Sequence, residues 1–363
     1  MVDKAPPFFD APLGVGDSRF ECHMFDHNSK YLASAPYNQA QGETFLNKPH
    51  QMRLVIPYRG FSQVNQDNLY PGLTEIGLYD SEESKYLFEG PVWTAVASSD
   101  QGGTVNVSAQ SALSYLAKHR IDSARTFTAE TPAHCIDDLI TYANARYTTA
   151  GVPFQMLSTI VTDNASTITQ QIKAIDRVMV LDAITSLLDA ADGTDIYDRF
   201  DGFNHQLSIN GGRLINPIKG AWEYGGVLNQ HSLQVDAQTI SNDYLLIGSN
   251  AVSAQQSDLV SQATYDMLYQ EVDRGSDLTK SASLIAAVAQ LLPTLTNPTQ
   301  LPTLVVNQLF PQTDFDLGDQ FQVVIDDWWA QYSAPARIVG WQWTVSGQDK
   351  MTTNIYVNDA SEV

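Results

Sequence analysis

Short alternating stretches open the chain. Phe20, Cys22 and Met24 alternate with polar residues, and Met52 to Ile56 form a compact apolar run stopped by Pro57, so both are expected to be strands. Leu73 to Tyr79, Tyr86 to Ala97 and Thr104 to Ala109 follow, separated by the turn compositions Asp80 to Ser84 and Ser98 to Gly103. An all-β module over about residues 15 to 110 is the expectation. The period then changes. Leu113, Leu116, Ala117 and Ile121 share one helical face, and Ile136, Leu139, Ile140 and Ala143 repeat it after Thr131 as N-cap and Pro132 at the first helical position. A third helix is expected over Asp176 to Ala191, stopping at Gly193.

Beyond that helix, Gln206 to Ile209, Asn210-Gly211 and Arg213 to Ile215 read as a two-residue hairpin, because type I′ turns require positive φ. Asp243 to Gly248 reads as a strand, and helices are expected over Ser257 to Val272 and Leu278 to Leu292, with Pro293, Pro298 and Pro302 marking a boundary. The closing stretch is the most patterned. Gly318-Asp319 supplies a turn, Phe321, Val323 and Ile325 alternate with polar neighbours, and Val339, Trp341, Trp343 and Val345 share a face before a last strand over Thr352 to Val357. The expected class is α+β: two small antiparallel β-barrels with inserted α+β domains. The boundaries are 1–110 for the first barrel with its N-terminal arm, 111–200 for a helical insertion, 201–300 for an α+β middle domain and 301–363 for the closing barrel.

The order Leu317-Gly318-Asp319, strand, Asp327-Trp328, loop, Arg337-Ile338-Val339-Gly340-Trp341, strand resembles the closing domain of minor tail proteins that form the tail-tip hub of long-tailed viruses of bacteria and archaea. Leu87 to Val92, then Gly103 to Gln110, then Ala112-Leu113 are similar in order and spacing to that family's first barrel. The family is related to the hub of contractile tails and the base of type VI secretion spikes. The resemblance implies a structural virion protein at the tail tip, not an enzyme, assembled in the host cytoplasm. It implies a homotrimer that presents a quasi-sixfold ring and joins the sixfold tube to a threefold tip. Implied partners are the distal tail protein, the tape-measure protein, and a central fibre or receptor-binding proteins. The last strand lies close to Val363, so the resemblance implies that a separate protein closes or extends the tip. Two alternatives stand beside it: a receptor- or carbohydrate-binding tail module, and a tail-associated hydrolase of the cell envelope.

Composition narrows the chemistry. The 363 residues suit two to four modules, and 43% hydrophobic with 17% charged residues excludes a disordered chain. A net charge of −21 opposes any sequence-independent grip on phosphates, so no stable nucleic-acid binding is expected. Repulsion suits a conduit that passes DNA without holding it; solubility or a saline host would also account for the charge. Neither an apolar leader core nor a membrane-length apolar run is seen, so a soluble, unexported protein is expected.

Candidate chemistry is sparse, and no catalytic, cofactor-binding or metal-binding residue and no cofactor is expected. Cys22 and Cys135 stand far apart, without the spacing of a disulfide scaffold or zinc site. Asp189, Asp192, Asp195, Asp198 and Asp201 recur every third residue. Carboxylates so grouped could hold calcium, but the spacing is wrong for an EF-hand and a solvated acidic loop is expected. Asp326-Asp327 beside Trp328-Trp329 could serve a sugar, yet neighbouring strand residues point to opposite faces, so a turn covering the barrel mouth or a subunit contact is preferred. His119, His134, His205 and His231 lack ligand spacing, and Gly211-Gly212 and Gly225-Gly226 lack the strand-to-helix context of a phosphate loop.

Overall fold

In the first module small and apolar side chains alternate inward along the strands Phe20–Asp26, Gln39–Phe45 and Gln51–Pro57. A computed structural model describes residues 19–26, 30–57, 69–98, 103–149, 157–162, 167–173, 176–190, 194–202, 204–238, 240–248, 252–276, 281–297, 299–307, 309–328, 330–346 and 350–359. The module comprises β1 (Phe20–Asp26), β2 (Tyr31–Ala35), β3 (Gln39–Phe45), β4 (Gln51–Pro57), β5 (Thr74–Asp80), β6 (Lys85–Ser98) and β7 (Thr104–Gln110). Strand β6 changes partner after Pro91: up to that residue it pairs with β5, and from Val92 it pairs with β7. A Cβ at Gly90 would lie 2.1 Å from the carbonyl oxygen of Gln110, so only glycine permits the crossing.

A 3₁₀ turn, Ala112–Lys118, leads to β8 (Arg125–Glu130), α1 (Pro132–Thr149), β9 (Ser158–Thr162), β10 (Ile168–Ile172), α2 (Val180–Ala190), β11 (Asp195–Phe200) and β12 (His205–Asn210). Thr131 caps α1 as expected, its Oγ1 accepting from the His134 N–H at 3.4 Å. Leu113, Leu116, Ile136, Leu139, Ile140, Ile184, Leu187, Leu207 and Ile209 build a second core beneath these elements. The third helix is shorter than expected, and its Gly193 stop lies outside the described residues.

The Asn210-Gly211 hairpin does not form. Strand β12 ends at Asn210, Gly211 does not adopt positive φ, and β12 instead pairs antiparallel with β11 and parallel with β9. The turn lies one strand earlier, at Asp201-Gly202, where Gly202 has φ +95° and Asp201 Oδ1 accepts from the Asn204 N–H at 2.7 Å. Both dipeptides carry turn chemistry, and the pairing of β12 with β9 uses up the edge that a second hairpin would need.

Next come β13 (Ile218–Glu223), β14 (Leu228–Asp236), β15 (Asp243–Gly248), β16 (Ser253–Ser257), α3 (Leu259–Tyr265), β17 (Gln270–Ser276), α4 (Ser281–Leu295), β18 (Thr299–Asn307), β19 (Gln320–Asp326), β20 (Gln331–Ser346) and β21 (Lys350–Asp359). The helix expected to run to Val272 stops at Tyr265; Asp266 takes a left-handed conformation, and Gln270–Ser276 pairs in parallel with β15. Pro293 lies inside α4 rather than beyond it. Tyr244, Leu246, Ala254, Leu284, Val288 and Leu292 form a third, small core.

Large antiparallel sheets dominate, and the helices sit in the insertions. The two β modules are not separate, however. They share a 13-stranded sheet in which β20 of the closing module pairs with β3 of the first, Trp343 opposite Gly42, and one hydrophobic core runs through both. Strands β13 and β14, from the segment expected to belong to the middle domain, pair with β19 and β18. No ladder joins β13 to β14, so no closed barrel is found among the described residues. In β20 a bulge between Ile338 and Gly340 switches the inward face, which buries Ile338 and then Trp341, Trp343 and Val345 and leaves Val339 half-exposed.

Candidate functional site

Strand β5 is buried on both faces. Ile76 and Leu78 enter the first core, while Glu75, which alternation alone would place in solvent, is covered by the β11–β12 hairpin and the 3₁₀ turn. Glu89 on β6 stands opposite Gly77, one diagonal step from Glu75 on the same face. His205 opens β12 on the inward face it shares with Leu207 and Ile209. The two hairpins thus bring Glu75, Glu89 and His205 together, all buried. His205 Nδ1 lies 3.1 Å from Glu89 Oε2, and Nε2 lies 3.8 Å from Glu75 Oε2.

The surroundings set the electrostatics. The Tyr115 hydroxyl donates to Glu75 Oε1 at 2.8 Å, and Phe200 packs on the His205 ring with centroids 5.0 Å apart. Burial foremost, and then the charge of Glu75, push Glu89 well above the usual carboxylate range. Nearby, His50 Nε2 lies 3.5 Å from Asp198 Oδ1, and burial lowers His50 despite that carboxylate, which keeps the imidazole neutral.

Of the aspartate series, the Asp189 side chain and Asp192 lie outside what is described. Asp195 and Asp198 are not solvated: both are buried on β11. Asp195 Oδ2 accepts from Arg337 Nη1 at 2.8 Å and from the Leu214 N–H at 2.6 Å, and Oδ1 accepts from Asn47 Nδ2 at 3.1 Å. Asp198 Oδ2 accepts from the Leu113 N–H at 3.3 Å. Asp195 fastens the insertion to the β modules, whereas Asp198 bonds within the insertion and faces His50 of the first module, and the two do not converge. Asp319 does similar work at the expected turn, where Gly318 has φ +80°: it accepts from Asn216 Nδ2 at 2.8 Å and Lys219 Nζ at 2.6 Å.

At the β19–β20 tip, Trp328 is 97% exposed and so covers nothing in its own chain. Asp327 Oδ2 sits 3.7 Å from His231 Nε2. Trp329 lies outside the described residues. His134 begins α1, and His119 is lowered by burial and then by Arg146. Gly225, at φ +86°, turns β13 into β14. Burial raises the thiols of Cys22 and Cys135, to about 12 and about 11. A further apolar surface is exposed at Leu259 and Val260 on α3 and at Met267, Leu268 and Val272 beyond it.

No protein-family model matches the chain, and no curated protein matches it in sequence. The fold is similar to that of phage tail proteins and of a type VI secretion system component, as the hub resemblance implied. It is similar to the tail protein from Neisseria meningitidis MC58, with a TM-score of 0.67, 12% identity, and 94% of this chain and 97% of that one covered. The prophage MuSo2 43 kDa tail protein from Shewanella oneidensis gives a TM-score of 0.66 and 12% identity over 93% and 98% of the two chains. The E. coli c3393 protein, a type VI secretion component similar in structure to T4 tail proteins gp27 and gp5, gives 0.54 and 8% over 90% and 74%. At these identities the likeness is one of fold.

Proposed function

We propose that the chain is a structural, non-enzymatic subunit of a viral tail, the hub of the tail tip, which joins a sixfold tube to a threefold tip as a homotrimer and lines part of the DNA ejection conduit. The observation that carries this reading is fold likeness over nearly the full length of both partners, 94% and 97% for the Neisseria tail protein. The shared sheet adds support, since two β modules fused in one sheet offer two tube-like faces per subunit and six per trimer. The distal tail protein, the tape-measure protein and a central fibre or receptor-binding proteins are the proposed neighbours. Cryo-EM of intact particles tests the position: density for this chain at the tube's distal end supports it, and density on a peripheral fibre overturns it. A receptor-binding role, favoured by the bare Trp328, would instead show as host-cell binding by the isolated chain.

Trp328 is the proposed anchor against a neighbouring tail subunit, because a rigid aromatic left bare at a hairpin tip gains most by being covered. Trp328→Ser is expected to leave stability within about 0.5 kcal/mol. It should weaken assembly about tenfold or more, as loss of an interface hot spot does. Thermal melting together with sedimentation of the assembled tip checks both halves.

The charge of −21 is multiplied in a trimer, and acidic side chains facing a narrow channel would keep a polyanion from lodging. The isolated protein is expected not to retain double-stranded DNA even at low salt, where screening is weakest. A gel-shift titration decides: retention at micromolar protein would sink the conduit reading.

A further inference from the structure

We propose that Glu75, Glu89 and His205 form a binding site for one divalent transition-metal ion of the zinc class, held between the β5–β6 hairpin and the β11–β12 hairpin. The site is independent of the assembly reading.

Its first support is convergence. One donor atom from each of the three residues can be chosen so that all lie within 4.8 Å of one another, although His205 comes from a hairpin distant in sequence from the one that carries both glutamates. The second support is enclosure without satisfaction. The side chains of Glu75 and Glu89 are 0% exposed and that of His205 is 4% exposed. Even so, Glu75 Oε2, both carboxylate oxygens of Glu89 and His205 Nε2 lack a well-formed hydrogen bond, and the only basic group that faces the two carboxylates among the described residues is the His205 ring, 3.1 Å from Glu89 Oε2 and 3.8 Å from Glu75 Oε2. Among the described residues no lysine or arginine pairs with either glutamate; Tyr115 donates to the outer oxygen of Glu75, and the further charge felt by Glu89, Asp198, is itself negative. Two carboxyl groups so enclosed need a cation or a proton, because an unpaired buried charge is far too costly to persist.

The donor set selects the cation. One imidazole and two carboxylates suit zinc, which takes nitrogen and oxygen at roughly 2.0–2.2 Å and completes a tetrahedron with water. Calcium and magnesium prefer all-oxygen shells of six or more ligands, which three side chains with one nitrogen do not supply. Tyr115 is the positioning residue: its hydroxyl fixes one oxygen of Glu75 and leaves the other turned toward the site.

The test uses the full chain, stripped with a chelator and titrated calorimetrically with zinc sulfate and, separately, with calcium chloride. One zinc per chain, a raised melting temperature and no comparable calcium response are expected. Glu89→Gln removes a buried ionisable group at constant shape, so the metal-free variant should fold and melt no lower than the unaltered protein while losing zinc binding. His205→Gln should also abolish binding, and Tyr115→Phe should weaken it roughly 10–100-fold. His134→Gln, remote from the site, should change nothing. X-ray absorption at the zinc edge supplies a readout that needs no variant, with a shell of light oxygen and nitrogen donors including one imidazole expected. The proposal is overturned if the stripped protein takes up no stoichiometric zinc, if calcium binds equally well, or if Glu89→Gln and His205→Gln bind zinc as tightly as the unaltered chain.

Discussion

Arg337→Met is expected to lower the unfolding free energy by about 3–5 kcal/mol, the cost of stranding one partner of a buried ion pair. Arg337 and Asp195 are both nearly inaccessible, at 6% and 5% side-chain exposure, and their Nη1–Oδ2 distance is 2.8 Å. With the guanidinium gone, the Asp195 carboxylate keeps only the Leu214 N–H and Asn47 Nδ2 as donors, and neither carries charge. The effect should extend beyond one contact. Asp195 ties the start of β11 to β20 of the closing module, to the turn after β3 and to the segment that follows β12. Denaturant unfolding gives the number, and moderate salt should change it little because water and ions do not reach the pair. Arg337→Met combined with Asp195→Asn should recover part of the loss, since the amide oxygen still accepts from Leu214 and no charge is left behind. A loss below about 1 kcal/mol for the single variant would mean that the pair is solvated and that the insertion is fastened elsewhere.

Much of the β framework is legible because its strands bury one face and show it. Strands β1, β4 and β7 and the closing strands β19 to β21 follow alternation closely, β5 and β6 show as apolar runs, and β15 falls on the expected residues, Asp243 to Gly248. Strands β2 and β3 do not announce themselves. In β3 the buried positions are Ala40, Gly42 and Thr44, small residues whose inward space is filled from across the sheet by Trp343 and its neighbours. The helix read over Ser257 to Val272 failed for the opposite reason. Leu259, Val260, Met267, Leu268 and Val272 supply apolar positions, but they face outward, so their spacing does not report a core. The buried centre was hidden by the same logic of faces. Glu75 and Glu89 sit where a strand's polar side meets solvent in a two-layer protein, and here a second hairpin covers that side. His205 was visible only as a single histidine. Its partners lie on a different module, and what could have drawn attention to them is the presence of glutamate within otherwise apolar runs, at Leu73 to Tyr79 and Leu87 to Val92.

The joining of the two β modules, which sequence reading held apart, is best tested where β3 meets β20. Gly42 stands directly opposite Trp343, and a Cβ built on Gly42 would fall 2.2 Å from Trp343 Cζ2 and 2.5 Å from Cε2, well inside van der Waals contact. Trp343 is itself only 1% exposed, so the ring cannot swing into solvent without opening the core. Gly42→Ala is therefore expected to cost about 1–3 kcal/mol, as overpacking does. Trp343→Ala should cost about 3–5 kcal/mol through lost burial and the cavity left behind. The informative quantity is the combination. With the ring removed, the alanine methyl at position 42 enters empty space, so Gly42→Ala should be nearly neutral in the Trp343→Ala background, an interaction energy of about 1 kcal/mol or more. Equilibrium unfolding of the four proteins closes the cycle. If the two losses instead add within about 0.5 kcal/mol, residues 42 and 343 do not touch, and the pairing of β3 with β20 that fuses the modules into one sheet is wrong.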